Sequence, residues 1–382
     1  MQYPESKLPH VGTTIFSQMS QLAAEHDAIN LSQGFPDFDG PAELRQRVSH
    51  YIEQGANQYA PMPGVPALRQ AIAGKTEALY GRPVCPDSEI TVTSGATEAL
   101  FAAISAVVRA GDEVILFDPS YDSYQPAIEL NGGRAVRLPL QPPAFSIDWD
   151  ALRQAINGRT RMIIVNTPHN PTGAVLSAGD LERLAELLRG SDILLLGDEV
   201  YEHIVFDGAE HQSLLRHAEL AERAFVVSSF GKTFHTTGWK VGYCVAPAAL
   251  TAELRKVHQY LTFSTITPVQ LALADYLTSD PDHYLSLPAF YQQKRDLFCD
   301  LLQGSRFQLS PCPGTYFQLV DYSAISELPD VEFCRWLVEQ AGVAAIPLSV
   351  FSEVDPGTRL VRLCFAKQAD TLKQAAERLC RI

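Results

Sequence analysis

The chain has 382 residues, of which 46% are hydrophobic, 19% charged and 9% aromatic, and this excludes a disordered, collagenous or disulfide-framework protein. Forty-four acidic residues against 30 basic ones give a formal charge of −14 and a sequence pI near 5.1. Such a surface repels nucleic-acid backbones and anionic membranes, so neither is an expected partner.

The first residues, Met1 to Lys7, lack the basic and apolar regions of a signal peptide, so the expectation is a soluble, cytoplasmic protein. The N-terminal arm is punctuated by Pro4 and Pro9 and enters an amphipathic helix at Phe16-Ser17-Gln18-Met19. Gly34-Phe35-Pro36-Asp37-Phe38-Asp39-Gly40-Pro41 cannot be helical and predicts an exposed, shaped loop. From about Pro66, helical patterns alternate with short apolar runs at 90–93, 113–117, 162–165, 193–196, 225–228 and 241–246. The runs are rich in Val, Ile and Leu without polar alternation, as in strands covered on both faces. Helical patterns at 97–109, 122–130 and 178–188 lie between them, which predicts an α/β fold with a mainly parallel sheet. The longest nearly apolar stretch, 100–108, is too short to span a bilayer.

After about residue 275 the rhythm changes. A long helix near 281–303, a strand near 315–320, a helix at 331–340, a strand at 360–365 and a final helix from Asp370 predict a smaller α+β domain. The expected organisation is an arm over 1–40 packing on the small domain, a large domain over 41–275 and the small domain over 276–382.

Several chemistries can be struck out. The seven cysteines are scattered with no C-x-x-C pair, so neither a zinc site nor a disulfide framework is indicated, and no metal is expected. No glycine is followed two residues later by another, which removes the dinucleotide fingerprint. Neither G-x-S-x-G nor H-E-x-x-H occurs. Gly231-Lys232-Thr233 invites a P-loop reading, but that loop needs glycine at 226, where Val226 stands. Ser229-Phe230-Gly231-Lys232 matches S-x-x-K without the S-D-N or K-T-G that should follow.

Five features survive, four of them where a parallel sheet places function, at the C-terminal ends of strands. Thr93-Ser94-Gly95-Ala96-Thr97-Glu98 turns a strand into a helix whose free N–H groups and dipole can hold a phosphate; the plainer alternative is a helix start with Ser94 as N-cap. Asn166-Thr167-Pro168-His169-Asn170-Pro171-Thr172-Gly173 is either a stiff loop that orients two asparagines or an ordinary turn. Asp198, in Gly197-Asp198-Glu199-Val200-Tyr201, ends a buried apolar run and must find a cation, stay protonated or merely cap the next segment. Tyr201 is placed to present its hydroxyl beside it. Lys232, among Phe230, Phe234 and Trp239, is unusual as surface decoration, and a partly desolvated lysine becomes a usable amine nucleophile. Arg362 stands mid-strand in an apolar run and needs an answering carboxylate, from a ligand or from a structural ion pair.

Together these segments resemble the class I/II pyridoxal-phosphate aminotransferases of fold type I. The resemblance runs from Asn30-Leu31-Ser32-Gln33-Gly34-Phe35-Pro36-Asp37 to the Arg362 strand, and the Lys232 signature with Gly238 and Gly242 is its most specific part. Asn57-Gln58-Tyr59-Ala60-Pro61, Pro168-His169-Asn170-Pro171-Thr172-Gly173 and Gly231-Lys232-Thr233-Phe234 make it most similar to the methionine, kynurenine and glutamine aminotransferase branch. The resemblance implies a large domain with a seven-stranded, mainly parallel sheet between helices, and a homodimer with shared active sites. It implies pyridoxal 5′-phosphate (PLP) as cofactor, with Lys232 as the Schiff-base amine and proton shuttle and Asp198 on the pyridinium nitrogen. Tyr201 and Asn170 would meet the ring's phenolic oxygen. Ser94, Gly95, Ala96, Thr97, Ser229 and Lys240 would surround the phosphate, with Tyr59 reaching in from the partner subunit, and Tyr121 would stack on the ring. Arg362, Asn170 and the Gly34 backbone would grip the substrate α-carboxylate, and Phe16, Tyr59 and Tyr121 would wall the side-chain pocket. Many class I members carry arginine where this chain has Lys240; lysine binds phosphate as a point charge, and the favoured branch is similar in using it.

The implied reaction moves an amino group from an L-amino acid to a 2-oxo acid, with methionine expected first, then aromatic amino acids, kynurenine or glutamine. β-Elimination on cysteine S-conjugates is the rival on the same site. A P-loop-like NTPase or a non-enzymatic effector-binding module are the rivals of a different class.

Overall fold

The computed structural model describes residues 3–382, so Met1 and Gln2 of the arm lie outside the described residues. Among the described residues, twelve strands form three sheets. In chain order they are β1 (Ile29–Asn30), β2 (Ile90–Thr93), β3 (Glu113–Asp118), β4 (Arg134–Pro139), β5 (Thr160–Asn166) and β6 (Leu194–Asp198). These are followed by β7 (Ala224–Ser229), β8 (Gly242–Val245), β9 (Phe317–Asp321), β10 (Val343–Ala344), β11 (Ile346–Pro347) and β12 (Leu360–Cys364).

The main sheet has seven strands in the order β2-β8-β7-β6-β5-β3-β4, with β8 antiparallel to its two neighbours and the other pairs parallel. Alternation along each strand splits its side chains between two cores. Ile115, Ile163, Val165, Leu195 and Val226 join one cluster, while Val114, Leu116, Met162, Ile164, Leu196 and Phe225 join the other. Helices cover both faces: Ala96–Val107 and Tyr124–Leu130 lie on one, Pro66–Tyr80, Ala178–Leu188 and Thr267–Ser279 on the other. With no solvated face to serve, the strands carry no polar alternation. Each fully buried aliphatic side chain contributes roughly 1.5–3 kcal/mol.

A third apolar cluster gathers Phe298, Tyr316, Phe317, Phe333, Leu337, Leu363 and Leu372 around the antiparallel sheet β11-β12-β9 and helices Asp282–Leu302, Asp330–Ala341 and Ala369–Leu379. Helix Ile15–Glu25 adds Met19 and Ala23 to that cluster. The chain then runs as β1 beside β10, where Ile29 faces Val343, and Leu31 accepts from the Cys364 N–H at 2.8 Å. Residues 29–34 are thus stitched into the C-terminal part of the molecule, which delivers Ser32 and Gly34 to its boundary with the main sheet.

Strand β4 and helices Ala42–Glu53 and Ala248–Leu261 were not among the sequence expectations. β4 is an edge strand of intermediate burial carrying Arg134 and Arg137, so its apolar signal is diluted. The expected Ser94 cap is also corrected. Helix Ala96–Val107 takes Gly95 as N-cap at φ 81°, with no side-chain capping bond, while the Ser94 hydroxyl pairs with Thr265 at 2.8 Å.

Candidate active site

The parallel strands of the main sheet end along one edge, and a cavity of about 260 Å³ opens there, closed on the other side by Phe16, Gly34, Phe317 and Arg362. Gly95, Ala96, Thr97, Tyr121, Asn170, Asp198, Tyr201, Ser229, Lys232 and Lys240 also line it. Of the residues singled out in the sequence, Ser94 and Tyr59 do not: Ser94 turns to Thr265, and Tyr59 is 83% exposed against Phe263.

At one end, β2 enters helix Ala96–Val107, whose first N–H groups have no partner within the helix. The turn is tight enough to require glycine twice. A Cβ on Gly95 would stand 3.2 Å from Lys240 Nζ, and one on Gly242 would stand 2.8 Å from the Ala96 nitrogen. Helix N–H groups, the positive end of the dipole, Ser229 and the Lys240 ammonium together make a cradle for a phosphate-sized dianion.

At the centre, Asp198 ends β6 and is 4% exposed. Its Oδ2 accepts from Tyr124 at 2.6 Å and its Oδ1 from the Val200 N–H at 3.4 Å, yet among the described residues no cation lies within ion-pair distance. Burial raises its pKa to about 6, against the lowering by the Tyr124 hydrogen bond. A buried carboxylate held in this way calls for a cationic ligand atom.

The loop after β5 is fixed by its own groups. Asn166 donates to the Asp198 carbonyl and accepts from the Asn170 N–H, both at 2.8 Å, while Gly173, at φ 79°, leaves no room for a Cβ beside Cys312. Asn170 Oδ1 accepts from Arg362 Nη1 at 2.7 Å, so its amide N–H₂ remains to donate into the cavity.

Arg362 is 1% exposed. Nη2 donates to the Ser32 carbonyl at 3.0 Å, Nε has no partner, and among the described residues no carboxylate lies within 4 Å of it. The guanidinium is flanked by the rings of Phe317 at 3.8 Å, Phe16 at 5.4 Å and Phe351 at 5.6 Å. A structural ion pair is therefore not what holds it, and the N–H groups left over from Asn170 and Ser32 fit a carboxylate.

Lys232 rises from the turn after β7, and its Nζ donates to Tyr316 Oη at 2.8 Å and to the Gly34 carbonyl at 3.1 Å. Burial, opposed by Cys364 and Asp198 and aided by Arg362 and Lys240, brings the amine down to about 8. The Gly34 carbonyl accepts from both Lys232 and Tyr316; being an acceptor it cannot serve a carboxylate, for which Gly34 has only its N–H to offer.

The whole arrangement has a chain-long counterpart among known proteins, because the family described as aminotransferase class I and II matches residues 26–379. The chain belongs to this aminotransferase family. It is similar to the methionine aminotransferase of Escherichia coli, 62% identical over 376 residues that span 98% of this chain and 97% of the relative. A solved Escherichia coli structure with a methionine aminotransferase function superposes with a TM-score of 0.98 at 61% identity, covering 100% of both chains. The kynurenine–oxoglutarate transaminase of Dictyostelium discoideum is 34% identical, over 99% of this chain and 96% of its own. The protein is a PLP-dependent aminotransferase of fold type I. These matches support neither the NTPase and effector-module alternatives nor β-elimination.

The aminotransferase site fits PLP on the structure's own terms. A phosphate would find a cradle of helix N–H groups and Lys240, a protonated ring nitrogen would answer the buried Asp198 carboxylate, and an aldehyde would meet an amine of lowered pKa at Lys232. When bound, PLP supplies an aldehyde that condenses with amines and a ring that accepts the electron pair released at the substrate α-carbon. Sequence reasoning missed Tyr316, Phe317, Tyr124 and Phe351 as residues of this neighbourhood. Arg362 in an apolar strand was the one available signal that such rings surround a cation.

Proposed function

We propose that this aminotransferase takes methionine as its preferred amino donor, with aromatic amino acids, kynurenine or glutamine next and a 2-oxo acid as acceptor. The observation that carries this reading is Arg362, a buried guanidinium with no carboxylate partner, ringed by Phe16, Phe317 and Phe351. It grips the α-carboxylate, and the rings beside it offer an apolar slot to the side chain. Thioether sulfur packs well on ring edges. Among the described residues the cavity's cations are Lys232, Lys240 and Arg362, so no further charge lines it to receive an ω-carboxylate. The methionine and kynurenine relatives support the same choice.

In this reading Lys232 Nζ is the nucleophilic amine and later moves the proton at the substrate α-carbon. Asp198 holds the proton on the cofactor's ring nitrogen, and Tyr201 and Asn170 donate toward its phenolic oxygen. Gly95, Ala96, Thr97, Ser229 and Lys240 hold the phosphate, while Tyr121 covers the ring face. Ser94 supports the phosphate turn from behind, through Thr265. The enzyme works as a homodimer in which Tyr59 completes the neighbouring copy's site. Support comes from Tyr59 and its neighbours Tyr260, Leu261, Phe263 and Ile266, which leave an apolar patch exposed. The organisation is an arm over 1–40, a large domain over 41–275 and a small domain over 276–382. We place the enzyme in the cytoplasm; its cysteines are free thiols, and among the described residues no helix is long and apolar enough to cross a membrane.

The test is a single-turnover panel, in which aldehyde-form enzyme is mixed with each amino acid and conversion to the amine form is followed spectroscopically. Methionine should convert it fastest and the aromatic amino acids within roughly tenfold, because apolar pockets separate near-isosteres weakly. Aspartate converting faster than methionine would overturn the pocket assignment. Arg362→Lys should raise KM for the amino acid about tenfold or more, since the bidentate fork is lost, with the visible cofactor band intact. Loss of the band together with the KM effect would show instead that Arg362 supports the fold.

A further inference from the structure

The Lys232 amine, the Tyr316 hydroxyl and the Gly34 carbonyl form a closed triangle of hydrogen bonds. Tyr316 donates to the Gly34 carbonyl at 2.5 Å, which commits its only proton, so toward Lys232 it can only accept. Lys232 Nζ donates to both oxygens, at 2.8 Å and 3.1 Å. A neutral amine has two N–H groups and one lone pair. When both N–H groups are held, the lone pair is left with the one remaining tetrahedral direction, and Lys232 itself lines the cavity.

We propose that Tyr316 is a catalytic residue whose hydroxyl holds one N–H of the free Lys232 amine and thereby aims its lone pair into the cavity. The inference rests on the role proposed above for Lys232 and adds a second residue to it. The anchor is rigid. Tyr316 is fully buried, edge-on to Tyr201 at 5.1 Å and to Phe317 at 4.9 Å, and tilted against Tyr291 at 5.7 Å. Gly34 is equally confined, since a Cβ there would stand 2.8 Å from Phe317 Cζ.

Tyr316 also bears on the proton affinity of the amine. The groups facing Lys232 are Asp198 at the end of β6, Tyr201 beyond it, Lys240 before β8, Tyr316 before β9, and Arg362 and Cys364 on β12. Among the described residues none pairs with it as an anion within 4 Å. An accepted hydrogen bond stabilises an ammonium more than an amine, so Tyr316 opposes the lowering that burial imposes. Removing its hydroxyl must therefore lower the Lys232 pKa further, from about 8 toward neutral, so a loss of kcat in that variant reports lost alignment of the amine and not a proton affinity moved out of range.

Tyr316→Phe deletes the hydroxyl and keeps the ring. Tyr291→Phe is the control, because Tyr291 packs on Tyr316 but gives its hydroxyl to His235 at 3.0 Å. In the cofactor-free full-length chain, modification of Lys232 by trinitrobenzenesulfonate is followed against pH by mass spectrometry of its peptide. The midpoint should fall by about one pH unit in Tyr316→Phe and stay in place in Tyr291→Phe. In the holoenzyme, Tyr316→Phe should lower kcat about tenfold with KM little changed, as expected when a reacting group loses its alignment. An unchanged midpoint and kcat in Tyr316→Phe, with Lys232→Ala inactive, would overturn the role of Tyr316 alone. Equal shifts in the two tyrosine variants would also overturn it, by showing a general effect of the aromatic cluster. Full turnover by Lys232→Ala would overturn the reading beneath it.

Discussion

Lys232→Ala should abolish transamination, with turnover falling by about four orders of magnitude or more, because nucleophile and proton carrier vanish together. The absorption band of the Lys232 imine should be missing from the variant, and borohydride should leave no reduced cofactor attached to its chain. The other cation near the phosphate cradle, Lys240, is exposed and lies against Gly95, so it is not placed to take over. The measurement is a steady-state assay beside an absorption spectrum of purified variant and wild type. Ordinary turnover by the variant would remove Lys232 from the mechanism.

Asp198→Asn should retain some cofactor and lose kcat by about a hundredfold or more, since the ring nitrogen loses the carboxylate that keeps it protonated. The structure adds a consequence for stability. Burial lifts the Asp198 pKa from 3.8 to about 6 in the cofactor-free protein. An acid with a raised folded-state pKa binds more protons folded than unfolded, so stability falls as pH rises through roughly 4 to 6 and stays lower above. The cost of keeping the carboxylate ionised approaches about 3 kcal/mol at neutral pH. Cofactor-free Asp198→Asn should therefore melt above cofactor-free wild type at pH 8, and the two should converge near pH 4. With PLP bound the order should reverse, because Asp198 then has a cation to answer. Thermal unfolding at both pH values, with and without cofactor, checks the pair of signs. Near-normal kcat and an unchanged order would reduce Asp198 to a cap of the turn that follows β6.

Much of this was legible in the chain because the informative residues break local rules. Lys232 among phenylalanines, Asp198 at the end of an apolar run and Arg362 inside one each violate the expectation that charge stays in water, and all three line the cavity. The buried strands were legible for the opposite reason, since β3, β5, β6 and β7 are covered on both faces and read as continuous apolar runs. What escaped depends on contacts between distant segments. Tyr316 reaches Lys232 across 84 positions and Gly34 across 282, and nothing local to Thr315-Tyr316-Phe317 marks it as more than core. The two-residue strand β1 has no pattern of its own and exists because β10 lies beside it. Ser94 takes neither the N-cap alternative nor a place in the cavity lining, because Gly95 and the antiparallel return of β8 at Gly242 decide the geometry of that turn.

Everything proposed for the site turns on which amine the cofactor engages. Holoenzyme treated with borohydride, digested and mapped by mass spectrometry gives the answer in one experiment. The account predicts the mass of the reduced cofactor on the peptide that carries Lys232 and on no other. The same mass on the peptide carrying Lys240, or on no peptide of this chain, would contradict it.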